Sequence, residues 1–142
     1  MAYWLFKSEP NTWSWDDQVA KGAEGEEWDG VRNYQARNNM RQMVVGDLGF
    51  FYHSVNEKQI VGIVEVCAEI HADTTTDDPR WECVDIRAVA PVPRPVTLAE
   101  MKAEDALAEF ALIKQSRLSV VPVSAAEWAH ICKMAEYKGP GS

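Results

Sequence analysis

A chain of 142 residues, 46% hydrophobic and 25% charged, has the size and balance of one compact domain with one core. That balance excludes a disordered chain, and a formal charge of −8 excludes a binder that grips a long phosphate groove with Lys and Arg. No apolar stretch approaches the roughly 20 residues that cross a bilayer, and Met1-Ala2-Tyr3-Trp4-Leu5-Phe6-Lys7 lacks the basic and long apolar segments of a signal peptide, so the expectation is a cytoplasmic protein with no membrane contact.

Tyr3 to Phe6 is short, aromatic and apolar and reads as a first strand, ended near Pro10. Ser14 with Asp17 forms a capping-box pattern that opens a short helix to about Lys21. Gly22 to Gly30 reads as a polar, acidic loop with Trp28 at its far end, and Arg32 to Met43 as a short helix on which Arg37 and Arg41 share a face. Val45-Gly46-Asp47 turns the chain into a strand from Leu48 to His53, and Gln59 to His71 is the longest expected strand. A loop over Asp73 to Pro79 leads to a strand from Trp81 to Val89, after which Pro91, Pro93 and Pro95 read as a stiff connector.

Thr97 with Glu100 caps a helix from Leu98 to about Lys102, and a second helical stretch is expected over Asp105 to Ile113. Leu118 to Val123 reads as a strand. Ser124 with Glu127 then caps the last helix, whose apolar stripe is Trp128, Ile131, Cys132 and Ala135. Residues 1–138 read as a single domain and Gly139-Pro140-Gly141-Ser142 as a flexible tail. The class is α+β: a mixed or antiparallel, barrel-like sheet with short flanking helices.

Six tryptophans are many for this length, so some are expected to line a surface instead of filling the core. The run Trp28-Asp29-Gly30-Val31-Arg32-Asn33-Tyr34-Gln35-Ala36-Arg37-Asn38 concentrates amides that read base edges, a stacking ring, and arginines that bind phosphate. From composition alone the plainer reading weighs more: a solvated helix start capped by Asp29 or Asn33, with Trp28 in the core. Phe51 and His53 should share one face of their strand, Phe50 and Tyr52 the other. His53 and Ser54 fall where that strand emerges, a frequent place for a site, although a hydrogen-bonded structural histidine is commoner. Lys7-Ser8-Glu9-Pro10 can contact a ligand or merely cap local backbone.

Catalytic motifs are absent. There is no Gly-rich phosphate loop, no Cys-x-x-Cys pair and no His-Glu-x-x-His, and His53, His71 and His130 lack metal-ligand spacing. Cys67, Cys83 and Cys132 read as buried thiols. The expectation is therefore a non-enzyme with no cofactor and no metal. Between Gly30 and Ile60, four basic residues (Arg32, Arg37, Arg41, Lys58) meet two acidic ones (Asp47, Glu57), so the remainder of the chain carries −10. Nucleic acid, if bound, would meet a small basic mouth and a base pocket.

Together, Tyr3-Trp4-Leu5-Phe6-Lys7-Ser8-Glu9-Pro10, the Trp28–Asn38 run, Val45-Gly46-Asp47, Phe50-Phe51-Tyr52-His53-Ser54, Ile60-Val61-Gly62, Pro79-Arg80-Trp81, Val84-Asp85 and Arg117-Leu118-Ser119-Val120 resemble, in order, the EVE domain of the PUA-like superfamily. The resemblance implies a PUA-like β-barrel with flanking helices and kinship with YTH domains. It further implies non-catalytic recognition of a methylated or hydroxymethylated base in DNA or RNA, alongside a nuclease or other effector partner. The alternative is a small-molecule or nucleotide-binding domain that regulates a partner protein. The positions implied for the pocket are Lys7, Ser8, Trp13, Trp28, Val31, Asn33, Tyr34, His53, Ser54, Trp81, Leu118 and Ser119, with Arg32, Arg37 and Lys7 near phosphate. Asn33 and Ser54 would read the base edge, and some of Trp13, Trp28 and Trp81 would form walls. The chain departs from the pattern at Val55-Asn56-Glu57-Lys58-Gln59, where the family carries an Asn and a Cys before a Pro-Gly, and in the short loop from Asp73 to Pro79.

Overall fold

A computed structural model describes all residues, Met1–Ser142. Aromatic and β-branched segments form six strands: β1 (Tyr3–Ser8), β2 (Glu26–Glu27), β3 (Leu48–His53), β4 (Gln59–Ala72), β5 (Glu82–Thr97) and β6 (Val120–Val123). Five short helices accompany them: α1 (Trp15–Ala20), α2 (Tyr34–Arg41), α3 (Leu98–Lys102), α4 (Ala111–Lys114) and α5 (Ala125–Met134). The strands lie in the order β2-β5-β4-β3-β1-β6; β1 and β3 are parallel and every other pair is antiparallel. The barrel expected from the resemblance is not closed by hydrogen bonds, because the end strands β2 and β6 do not pair. They are two and four residues long.

The central strand β3 is buried along its whole length, and its alternation sorts the aromatic core into two halves. On one face Phe50 stacks on Trp128 of α5 at 4.1 Å between centroids, and Trp128 stacks in turn on Tyr3 at 4.5 Å. On the other, Phe51 meets Trp15, Trp28 and His53 edge-on at 5.4 to 5.7 Å. Such pairs contribute roughly 0.5–1.5 kcal/mol each beyond the area they bury. Trp15 sits over Gly62 so closely that a Cβ there would fall 2.4 Å from the indole ring.

All three capping boxes read from the sequence are formed, at Ser14/Asp17, Thr97/Glu100 and Ser124/Glu127. Other segments differ. Residues 91–95, expected as a connector, continue β5 to Thr97. The prolines survive there because their side chains are exposed, the β4 partner slips register between Ile60 and Gly62, and β2 covers only Asp85 and Ile86 of the opposite edge. The acidic loop contains a 3-10 turn (Gly22–Glu24) and β2, and the stretch from Asp105 breaks into a 3-10 turn and α4. Cys83 and Cys132 are buried, whereas Cys67 is only partly so. At the C-terminus the Trp128 indole N–H donates to the Gly141 carbonyl at 2.8 Å, and Tyr137 Oη donates to the Pro140 carbonyl at 2.8 Å. No helix is long and apolar enough to cross a membrane.

Candidate functional site

The two ends of the open sheet face one cavity. Lys7 and Ser8 of β1 and Ser119 just before β6 line one side, while Glu26 and Glu27 of β2 lead into the opposite wall, Trp28-Asp29-Gly30-Val31-Arg32. Glu9, Thr12 and Trp13 complete the rim of a cavity of about 560 Å³. That volume is within the range of small-ligand pockets.

Its walls are fixed from behind. Trp28 is buried, packed edge-on against Phe6 and Phe51, and its backbone N–H donates to the Val84 carbonyl at 2.9 Å. The Trp13 indole N–H donates to Gln18 Oε1 at 3.0 Å, and the wholly buried Gln18 spends its own N–H on the Ile86 carbonyl at 3.0 Å. Ser8 Oγ donates to the Trp13 carbonyl. Opposite, Gly30 turns the wall with φ +76°, a left-handed conformation that favours glycine, and its N–H donates to Asp73 Oδ2 at 2.9 Å. Asp73 also accepts from Arg32 at 3.1 Å and from the Thr75 backbone at 2.8 Å. Burial alone would raise the Asp73 pKa, but these hydrogen bonds outweigh it and hold the carboxyl down at about 2.

The electrostatics are mixed. Lys7 donates to the Ser116 carbonyl at 2.8 Å, and its partial burial lowers its pKa. Asp29 is pushed upward, first by desolvation and then by Asp73, Glu27 and Glu26 around it. Beside the cavity, Arg32 lies over the Trp81 ring at 5.5 Å, Trp81 stacks on Tyr34 at 5.1 Å, and Arg37 lies over Tyr34 at 4.9 Å. Arg80 joins this cluster through the Tyr34 hydroxyl at 3.3 Å. The result is a cationic, aromatic shelf at the lip of a mostly polar pocket.

Of the positions expected at the site, Lys7, Ser8, Trp13, Trp28, Val31, Arg32 and Ser119 line the cavity. Tyr34, Arg37 and Trp81 form the shelf. The remaining four lie elsewhere. Asn33 caps α2, its Oδ1 accepting from the Ala36 N–H at 2.9 Å, and with Leu118 it borders a separate polar cleft of about 310 Å³. His53 Nε2 accepts from the Trp15 N–H at 3.0 Å, so Nδ1 carries the proton that goes to Glu57 at 2.9 Å: this histidine anchors the start of α1. The Ser54 N–H donates to the Ser8 carbonyl at 2.9 Å. Glu9, Asp29 and Gly30 fall in the candidate segments but are not among the positions expected in the pocket, and sequence reasoning missed Thr12, Glu26 and Glu27 as lining residues and Gln18 and Asp73 as their supports. The acidic run beside Trp28 was visible, but only the fold turns it toward β1.

The structure is thus an α+β domain, a mixed six-stranded sheet with short helices and a cavity between the ends of the sheet. Residues 2–134 match the EVE domain model, and the chain belongs to that family. Thymocyte nuclear protein 1 of Mus musculus is 36% identical over 94% of this chain and 74% of its own length. A crystal structure of a protein from Agrobacterium tumefaciens is 54% identical with a TM-score of 0.96, covering 99% of this chain and 97% of that one. Human THYN1, in complex with 5-methylcytosine containing DNA, is 32% identical with a TM-score of 0.90, covering 99% and 100% of the two chains. The YTH domain of Zygosaccharomyces rouxii MRB1 protein, at 16% identity and a TM-score of 0.57 over 97% of this chain and 88% of that one, shares the fold.

Proposed function

We propose that this protein is a non-catalytic reader of methylated cytosine in DNA, taking the base out of the stack into the cavity bounded by Trp13, Trp28 and Asp29. The observation that carries the reading is the pairing of that cavity with similarity, over nearly all of this chain, to the human THYN1 structure in complex with 5-methylcytosine containing DNA. The chemistry of the lining suits such a base. Indole surfaces offer stacking and apolar contact to a ring and its methyl group. A carboxylate accepts from the cytosine N4 amino group, which favours cytosine over thymine, whose O4 is an acceptor. We assign that role to Asp29, one of the carboxylates that line the cavity with Glu9, Glu26 and Glu27, and take Ser8 and Ser119 as further polar contacts.

The shelf of Arg32, Arg37 and Arg80 would hold the flanking phosphates, and Lys7 the opposite side. His53 is committed to the Trp15 N–H and to Glu57, and Ser8 Oγ to the Trp13 carbonyl.

The test is binding to matched duplexes and single strands carrying one cytosine, 5-methylcytosine or 5-hydroxymethylcytosine, in DNA and in RNA. Preference for methylated DNA that disappears in Trp13→Ala supports the reading. Equal binding of all oligomers by folded protein, or binding only of free nucleotides, contradicts it; the latter would establish a nucleotide-binding regulatory domain instead.

A further inference from the structure

Behind the acidic wall, three donors of different chemistry converge: the Glu27 carboxylate on β2, the His71 imidazole on β4 and the Cys83 thiol on β5. Their donor atoms all lie within 4.8 Å of one another. Cys83 Sγ is 3.6 Å from Glu27 Oε1, and His71 Nδ1 is 3.8 Å from the same oxygen. A tetrahedral zinc ion with its usual bonds to S, N and O needs donor–donor edges of about 3.3–3.6 Å. The observed spacings approach those edges before any ion draws the donors inward.

The surroundings match the demands of such an ion. His71 Nε2 is 2.8 Å from Asp85 Oδ1, a carboxylate partner that orients the ring and increases its basicity. Glu27 is held by the Thr74 hydroxyl and by the Thr74 N–H at 3.2 Å. The Cys83 side chain is fully buried, yet its sulfur points at a carboxylate and not into the apolar core, which packing does not explain. His71 remains about a third exposed, which leaves an entry path and room for a water as fourth ligand.

We propose that Glu27, His71 and Cys83 bind one zinc ion, with Asp85 positioning His71. The Cys83 thiol and His71 Nδ1 each release a proton to solvent on binding, and Nδ1 exchanges its present contact with the Ala72 carbonyl, at 2.8 Å, for the metal. The ion clips the two-residue strand β2 to β4 and β5, so it stiffens one wall of the cavity through Glu27, which lines it. Sequence spacing could not show this site, because the ligands come from three strands and 56 residues separate Glu27 from Cys83. The proposal does not rest on the DNA-reading assignment.

Metal-free, full-length protein is titrated with Co(II) as a spectroscopic probe and then with Zn(II). The expected result is one Co(II) per chain with a near-ultraviolet thiolate charge-transfer band. That band is lost in Cys83→Ser, retained in Cys67→Ser and displaced by Zn(II), and Zn(II) raises Tm. His71→Gln weakens Zn(II) binding at least tenfold, and this variant decides the question if Cys83→Ser does not fold. Absence of the thiolate band, a band that vanishes with Cys67→Ser, or unchanged Zn(II) affinity in His71→Gln overturns the site.

Discussion

Asp73 shows how one side chain outside the cavity governs its shape. It accepts from Gly30, Arg32 and Thr75 together, so removing it unties three donors from the wall that carries Asp29. Its pKa of about 2 in the folded protein lies below the ordinary 3.8. Its contribution, roughly 2 kcal/mol, is therefore fully present above about pH 4 and is lost as pH falls toward 2. Urea unfolding between pH 6 and 2.5 should show this slope in wild type and a flatter one in Asp73→Asn. Asp29→Ala should slightly raise stability at neutral pH, because burial and the neighbouring carboxylates disfavour its charge, while reducing discrimination for cytosine by roughly 10- to 100-fold, the range of a good base-edge contact, as read from paired cytosine and thymine oligomers. Single residues were only partly legible in the sequence. Trp28, Val31 and Arg32 reach the cavity within the run that drew attention to them, while the plainer readings hold for Asn33, which caps α2, for the buried Trp28 and for His53, a hydrogen-bonded structural histidine. A polar side chain near a helix start has two occupations, and backbone geometry chooses between them.

At the scale of elements, the positions of α1 and β3 were legible because capping boxes and alternating aromatics are local signals. Strand β2 was not, since Glu26-Glu27 has no strand propensity and is held by pairing with Asp85 and Ile86. The proline-bearing end of β5 misled for the converse reason: a free, bulged edge tolerates what a central strand does not. The junction of α1 with the sheet is tight, and it sets Trp13 at the rim through Gln18. Gly62→Ala should therefore destabilise the fold by roughly 1–3 kcal/mol, the cost of overpacking, through displacement of Trp15, measured by thermal melting. Ser14→Ala should cost about 1 kcal/mol, the usual loss of an N-cap, with α1 frayed in hydrogen exchange.

For the whole molecule, a charge of −8 and a local shelf of arginines set opposing fields on an approaching polyanion. Few phosphates can be held, so DNA affinity should fall with salt at a slope of roughly −3.5 in log–log form, four contacts' worth. Arg37→Ala should flatten that slope by about 1 without altering base preference. The seam between the ends of the sheet, which makes the cavity, was beyond the sequence because it is built from segments that meet only on folding. The most direct measurement of the central claim is the NMR shift of a ¹³C-labelled cytosine 5-methyl group in a short duplex saturated with protein. A base seated between Trp13 and Trp28 should show an upfield ring-current shift and cross-peaks to indole protons, both lost in Trp13→Ala. A methyl signal that keeps its free-duplex position at saturation would contradict the account.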